Sequence, residues 1–346
     1  MSRFAWTGVR VAITVAIFAF LLRDLDWRAA GTALSRLSTT ALLAFLLLIA
    51  ADRLLMLARW IILMRMTTRV PAGELARIFF VSSFVGSLLP AGVGGDAARA
   101  ISVTRQTREP NEAVASVVID RLLGLQAVAL AGCLGVLLID YPIPRVLHQV
   151  TLVTSLLMIV ISVAGLFADG IAARLPALVQ QSWAGQAAIR LGSALGAYRS
   201  RSNILWRVAA LSLFVQVVRV LLAWVIGRGL GIALPLAYYW VFMPLNILLT
   251  LLPLSVGGFG VPQGAMVWSL APLGVSATEA FLLSLLFTIA GTVGNLPGAV
   301  LYVMGRSRRP LERLSAERAE DAEGKSAETP SGNDPRKQGR RGNAER

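Results

Sequence analysis

The chain of 346 residues is 56% hydrophobic and 15% charged, whereas soluble domains are typically about 45–50% apolar and about 25% charged. Its mean hydropathy of +0.68 and its recurring long apolar runs indicate a polytopic membrane protein. The net charge of +14 is spread between those runs, so membrane topology explains it better than a nucleic-acid partner does. We therefore expect no nucleic acid to bind.

The single cysteine and the single histidine limit the chemistry that the chain can perform. Cys133 lies in an apolar run and can form no internal disulfide. His148 alone provides neither a histidine cluster for a metal nor a convincing partner for a nucleophile. We therefore expect no metal site, no cofactor and no catalytic residue, and we predict that the protein is not an enzyme.

Six apolar stretches are long enough to cross a bilayer as helices. They are roughly Phe4–Leu22, Ala41–Met64, Pro110–Ile139, Val146–Ala168, Ile204–Gly227 and Thr278–Met304. Two further stretches, Glu74–Pro90 and Leu236–Pro253, each end in proline and run into glycine-rich sequence. Because irregular backbone at membrane depth must be buried in protein or line a wet cavity, we predict that both are re-entrant helical elements. The excess of arginine in alternate segments then places both termini in the cytoplasm.

An internal repeat supports this layout. The pattern LLPxxVGG occurs at 88–95 and again at 251–258, which is 163 residues later. In each copy a span follows, and Gly124 and Gly291 occupy equivalent positions in those two spans. Three crossings in each copy make the second copy inverted relative to the first. The sequence therefore predicts an all-α fold with inverted-repeat architecture, which is typical of transporters.

The predicted domain organisation is simple. Residues 1–304 form the transmembrane domain, with repeat one at about 4–139 and repeat two at about 146–304. Residues 305–346 are rich in charge and almost free of apolar side chains, so we predict a disordered cytoplasmic tail.

Charged residues within apolar stretches are the candidate functional residues, since each costs roughly 2.5–3.5 kcal/mol at mid-membrane. They are Asp52, Arg53, Arg59, Asp120, Arg121 and Arg219, with Asp96 and Arg99 just after the first glycine turn. In one interpretation arginines hold an anionic head group while Asp96 and Asp120 orient them. In the other, the charges are structural ion pairs. Neighbouring residues point about 100° apart on a helix, so we expect Asp120 and Arg121 to pair with other elements.

The glycine motifs complete the predicted substrate site. Gly94, Gly95, Gly257 and Gly258 would permit close helix crossing and leave bare backbone facing the substrate. The first motif lacks the Lys-Ser/Thr of a nucleotide-binding loop and follows no strand, so we exclude nucleotide binding.

Three segments resemble a known family. They are SSFVGSLLPAGVGGDAARA at 82–100, ASVVIDRLLGL at 115–125 and LLPLSVGGFGVPQGAMVWSLAPLGVSATEA at 251–280. The chain resembles the lysylphosphatidylglycerol synthase transmembrane, or flippase-like, family over roughly residues 5–305. That family includes the membrane half of the bacterial multiple peptide resistance factor and hopanoid-associated membrane proteins. The resemblance implies a lipid-translocating domain, in which the matching polar residues are Asp96, Arg99, Asp120 and Arg121.

One departure from the family pattern affects the second glycine motif. The family usually continues GxGxRE there, whereas this chain has Pro262 and Gln263 in place of the arginine and the glutamate. We predict that Gln263 faces the cavity lined by Asp96 and Arg121 and contributes a neutral amide. The 42 residues of the tail cannot form an aminoacyl-transferring domain, so we expect no lysyl transfer by this chain alone.

The function predicted from these features is translocation of an anionic or glycosylated lipid across the bacterial cytoplasmic membrane. Two alternatives stay open: a membrane enzyme or synthase partner acting on a polyprenyl or hopanoid lipid, and a secondary transporter of a small solute. The expected partners are membrane lipids with anionic head groups. Two protein partners remain possible from the sequence: a second copy of the chain and a lipid-modifying enzyme.

Overall fold

The structure, a computed structural model, describes most of the membrane domain. The described residues are 21–23, 26–35, 38–66, 68, 70–88, 93–105, 107, 110–138, 143–167, 170, 174, 182–199, 201–250 and 259–304. Nearly all of the predicted span Phe4–Leu22, the turns 89–92 and 251–258, and the tail 305–346 lie outside them. The chain divides into two compact units, Met1–Ala299 and Val300–Arg346, and the contacts described below lie within the first.

Helices account for the described part of the chain almost completely. They are α1 (Trp27–Ser35), α2 (Thr39–Met64), α3 (Ala72–Leu88), α4 (Val93–Thr104), α5 (Pro110–Leu138), α6 (Arg145–Leu166), α7 (Trp183–Arg199), α8 (Ser202–Leu230), α9 (Leu236–Thr250), α10 (Val261–Leu270) and α11 (Ala277–Gly294). A short 3-10 helix, Ala271–Leu273, follows α10.

Five helices are long and apolar enough to cross a membrane. These candidate spans are Thr39–Met64, Asn111–Leu138, Arg145–Gly165, Ser202–Leu230 and Ala277–Met304. Their bounds lie close to five of the six spans predicted from the sequence, and the sixth falls almost wholly outside the described residues. The prediction of an all-α polytopic membrane protein is therefore confirmed.

Capping residues set several helix ends. The hydroxyl of Ser38 accepts the backbone N–H of Ala41 at 3.2 Å and begins α2. Ser276 and Glu279 form a reciprocal capping box at the start of α11. Gly231 ends α8 with a φ of 94°, a left-handed conformation that glycine adopts without steric cost. These local signals fix where the long helices begin and end.

Each stretch predicted as re-entrant corresponds to one short helix, α3 or α9, and a second short helix, α4 or α10, follows it in the glycine-rich sequence. α3 packs against α4, and α9 packs against α10. Helices α4 and α10 have 12 and 10 residues, or about 18 and 15 Å, too short for a hydrocarbon core of about 30 Å. Neither α4 nor α10 is predicted from the sequence, because glycine-rich sequence indicates irregular backbone. The re-entrant placement itself stays a prediction.

Glycine allows the first hairpin to close tightly. A Cβ added to Gly86 on α3 would lie 2.7 Å from the Cα of Gly95 on α4, so the two backbones touch at this crossing. This contact agrees with the expectation that Gly95 permits a close helix approach.

The two halves of the domain share one order of helices. A long helix, two short helices and a long helix follow one another as α2–α3–α4–α5 and again as α8–α9–α10–α11. This order agrees with the repeat found in the sequence. The inverted orientation of the second copy stays a prediction.

Helix α5 lies at the centre of the packing, where it contacts α2, α4, α6, α7, α8 and α9. Its close approach to α9 depends on Gly135, because a Cβ at this position would overlap the carbonyl oxygen of Trp240. Small residues at such crossings let van der Waals contact hold membrane helices together.

We expect Gly135→Ala to destabilise the protein by about 1–3 kcal/mol, since the added methyl group forces α5 and α9 apart. Gly73→Ala is the matched control, because no heavy atom lies within 4 Å of a Cβ added there. Melting of the purified protein in detergent measures the difference. Equal melting temperatures for the two variants would contradict the close α5–α9 packing.

Candidate functional site

Eight charged side chains on α2, α4, α5 and α8 make ion pairs inside the helical bundle. We call Arg59, Arg99 and Asp120 the Asp120 network, and Asp52, Arg53 and Arg219 the Asp52 cluster; Asp96 and Arg121 form a separate pair. Ion pairs of this kind in membrane helices mark substrate pathways or fix the bundle.

The Asp120 network is built on a bidentate pair between α2 and α5. The Nε and Nη2 atoms of Arg59 donate to the two carboxylate oxygens of Asp120 at 2.7 and 2.9 Å. The Nη1 atom of Arg59 donates to the hydroxyl of Ser212 on α8 at 3.1 Å. Arg59 and Asp120 are 4% and 2% exposed, so the pair is shielded from solvent and its charge-assisted hydrogen bonds are strong.

Arg99 reaches the same carboxylate from α4. Its Nη1 atom lies 3.8 Å from Oδ2 of Asp120, and its Nε and Nη2 atoms donate to Ser82 and Ser83 on α3. The guanidinium carbon lies 4.6 Å from the ring centroid of Phe79 and 5.2 Å from that of Trp60. These cation–π contacts and hydrogen bonds enclose Arg99 and fasten the α3–α4 hairpin to α5.

Asp96 and Arg121 pair in a more open position. Nη2 of Arg121 donates to Oδ1 of Asp96 at 2.7 Å, and the Arg121 side chain is 44% exposed. Asp120 and Arg121 thus pair with α2 and α4 rather than with each other, as the helical geometry predicted. Of the four charged residues predicted for the site, Arg121 is the most accessible to a ligand.

Two of the four glycines predicted for the substrate site lie within the described residues. Gly95 is buried against Ser82 and Gly86 of α3, while Gly94 is half-buried beside it at the start of α4. Gly257 and Gly258 lie outside the described residues. Contact of any of these glycines with a substrate stays a prediction.

The residues of the Asp52 cluster are among the charged candidates found in the sequence, but they were not assigned to the predicted substrate site. Oδ1 of Asp52 accepts from Nε of Arg219 on α8 at 2.8 Å, and its Oδ2 lies 3.3 Å from Nε of the neighbouring Arg53. Nη1 of Arg53 also donates to the side-chain oxygen of Asn295, beyond the end of α11, at 3.0 Å. The sequence offered one signal, charged residues in apolar stretches, but it could not show that positions 52 and 219 meet.

A partly open cavity of about 230 Å³ lies beside the Asp52 cluster. It is enclosed by α2, α8, α9 and α11 and lined by Ile49, Asp52, Arg53, Arg219, Leu222, Ile247, Thr250, Phe287, Thr288, Ala290 and Gly291. The charged groups and hydroxyls of the lining are accompanied by apolar side chains, which is typical of ligand sites.

Gln263 is fully buried at the start of α10. Its Oε1 accepts the backbone N–H of Gly260 at 2.6 Å, and its Nε2 donates to the hydroxyl of Thr288 at 3.2 Å. Thr288 lines the cavity beside the Asp52 cluster. Gln263 is therefore linked to that cavity through a hydrogen bond, and its predicted contact with the surroundings of Asp96 and Arg121 stays a prediction.

The charges of the site do not balance. The Asp120 network and the Asp52 cluster each have two arginines for one aspartate, and the remaining pair is neutral. Among the described residues of the site, the surplus of positive charge favours an anionic ligand.

We expect Asp120→Asn to cost about 3–5 kcal/mol, because it leaves two buried arginines without their carboxylate. Asp96→Asn is the control, and its loss should be smaller because Arg121 remains partly exposed. The yield of folded protein and the melting temperature in detergent measure the loss of stability in each variant. Similar losses in the two variants would show that the Asp120 network does not hold the bundle together.

None of the curated proteins matches this chain. The family described as Lysylphosphatidylglycerol synthase TM region matches residues 8–298. The match spans most of the chain and includes the Asp120 network, the Asp52 cluster and the pair of Asp96 and Arg121. The resemblance found in the sequence motifs is thereby confirmed. The chain is an integral membrane protein related to lipid handling, and it belongs to the lysylphosphatidylglycerol synthase transmembrane family.

Proposed function

We propose that the protein translocates an anionic lipid across the bacterial cytoplasmic membrane. The observation that carries this proposal is the surplus of arginine over aspartate within the bundle. A surplus of positive charge in a low-dielectric environment attracts an anionic head group, which compensates it. The family's relation to lipid handling supports lipid as the substrate.

The arginines have different roles in this proposal. Arg121, with its side chain 44% exposed, receives the head group. Its own charge is paired with Asp96, and the surplus positive charge that attracts the head group comes from the Asp120 network, which begins at the neighbouring residue. Arg99 and Arg59 are enclosed by protein, so they act as positioning residues that hold α4 and α2, respectively, at the correct distance from α5. The head group passes the polar side chains while the acyl chains stay in the bilayer, because moving an acyl chain out of lipid costs about 0.8 kcal/mol per CH₂.

The proposed topology has both termini in the cytoplasm, and labelling of single cysteines tests it. In a Cys133→Ala background, Arg346→Cys should react with an impermeant maleimide only after cells are permeabilised. Arg145→Cys, exposed at the start of α6, should react in intact cells. The reverse pattern would contradict the positive-inside orientation.

Purified protein in liposomes tests the transport function. We expect inward movement of acyl-labelled phosphatidylglycerol, measured as protection of the fluorophore from dithionite, to be faster than that of labelled phosphatidylcholine. Arg121→Gln should slow it by about tenfold or more, because a charge-assisted hydrogen bond to the phosphate is lost.

Arg77→Gln is the matched control, since Arg77 is exposed and pairs with Glu74 at 3.2 Å on α3. Its rate should equal that of the unchanged protein. Equal rates for the two lipids, or movement no faster than in protein-free liposomes, would contradict lipid translocation. Uptake of a small anion without lipid movement would favour the solute transporter instead.

A further inference from the structure

The cavity beside the Asp52 cluster has unused hydrogen-bond donors. Arg219 donates through Nε to Asp52 and through Nη2 to the sulfur of Met56, and Arg53 donates through Nη1 to Asn295. Within the described part of the chain, Nε of Arg53 is buried and makes no hydrogen bond, and the hydrogen bonds above leave Nη1 of Arg219 and Nη2 of Arg53 unused. Each guanidinium can donate five hydrogen bonds, so both can bind an anion without releasing Asp52.

The net charge of the side chains that line the cavity indicates which ligand charge is favoured. Asp52 neutralises one of the two arginines, which leaves one positive charge beside the cavity. A ligand with a single negative charge restores neutrality, whereas a dianion or a zwitterion leaves a net charge uncompensated in a desolvated place. A guanidinium can donate two parallel hydrogen bonds to phosphate oxygens, so two arginines can together bind the oxygen atoms of one phosphate group.

The size of the cavity limits how much of a lipid can enter. Its volume of about 230 Å³ lies below the roughly 300–1,000 Å³ of pockets that hold drug-sized ligands. A phosphate with a small polar substituent fits this volume, but two acyl chains do not. The hydroxyls of Thr250 and Thr288 in the lining already donate to the carbonyl oxygens of Ile247 and Ser284, but each can still accept a hydrogen bond from such a substituent.

From charge, donors and volume, we propose that this cavity binds a singly charged phosphodiester head group between Arg53 and Arg219. The inference rests on the proposed lipid translocation for its lipid source, since a soluble phosphodiester offers the same chemistry. This inference assigns a binding role to the Asp52 cluster on α2 and α8, and the Asp120 network takes no part in it.

Gly291 provides the sharpest test because it lines the cavity without holding any charge. A Cβ added there meets only Nη2 of Arg53, at 3.9 Å, which is an ordinary van der Waals distance. Gly291→Ala should therefore fold normally and reduce the cavity slightly, and Gly291→Leu should fill much of it. By contrast, a Cβ on Gly294 would lie 2.7 Å from Nε of Arg53 and would displace the guanidinium.

Native mass spectrometry of the full chain in detergent measures binding of added phosphatidylglycerol and phosphatidylcholine. We expect phosphatidylglycerol to bind more tightly to the unchanged protein. Arg219→Gln should weaken its binding about tenfold or more, by loss of a charge-assisted hydrogen bond. Gly291→Leu should weaken it similarly and Gly291→Ala less. Arg207→Gln, on the exposed face of the same helix α8, should leave it unchanged.

Arg219→Gln also removes a partner of Asp52, so the Gly291 variants decide the outcome if that protein does not fold. Unchanged binding in Gly291→Leu would overturn the assignment, as would equal binding of the two lipids. Glycerophosphoglycerol and inorganic phosphate, added as competitors, identify the source of the anion. Competition by the phosphodiester supports a soluble ligand in the same cavity, and competition by diacyl lipid alone supports a lipid.

The same Gly291→Leu protein separates this inference from the proposed function. If it moves phosphatidylglycerol in liposomes at the unchanged rate, the cavity is not the head-group site although translocation stands. If the unchanged protein binds phosphatidylglycerol in the cavity but moves no lipid, the binding site stands and translocation fails.

Discussion

The pair between Arg59 and Asp120 is the constraint on which the bundle depends. Both side chains are almost fully buried, and their two parallel hydrogen bonds fix α2 against α5. Removing either partner leaves a charge in a low-dielectric interior, so sliding one helix along the other is strongly opposed. Arg99 adds the α3–α4 hairpin to the same carboxylate, and Arg59 donates to Ser212 of α8. The pair of Arg59 and Asp120 therefore organises helices from both halves of the domain.

Helix α2 links the two repeats through its two arginines. Arg53 and Arg59 are six residues apart, so they lie about 9 Å apart along the axis and about 120° apart around it. Arg59 lies against Gly124 of α5, and Arg53 lies against Gly291 of α11. These glycines are equivalent positions in the two copies of the repeat. Each copy thus makes room for one arginine of α2, and the two charge groups face different sides of a single helix.

The sequence predicts the features that depend on neighbouring residues. The long spans follow from apolar length, and the separation of Asp120 from Arg121 follows from helical geometry. It does not predict the Asp52 cluster, because the pairing of Asp52 with Arg219 joins residues 167 positions apart. Nor does it distinguish the enclosed Arg99 from the exposed Arg121, since exposure depends on the aromatic rings of α2 and α3.

The hydrogen bonds of the Gln263 side chain explain why a neutral residue occupies position 263. A glutamine both accepts and donates, so Gln263 can accept the N–H of Gly260 and donate to Thr288 at the same time. An ionised glutamate could only accept, so Thr288 could bond to it only by turning its hydroxyl proton away from the carbonyl oxygen of Ser284. The glutamate would also bring a second negative charge towards Asp52. The cavity would then have two acids for two arginines and no surplus to attract an anion. The amide therefore preserves the positive charge beside the cavity, and the departure from the family pattern is consistent with an anionic ligand there.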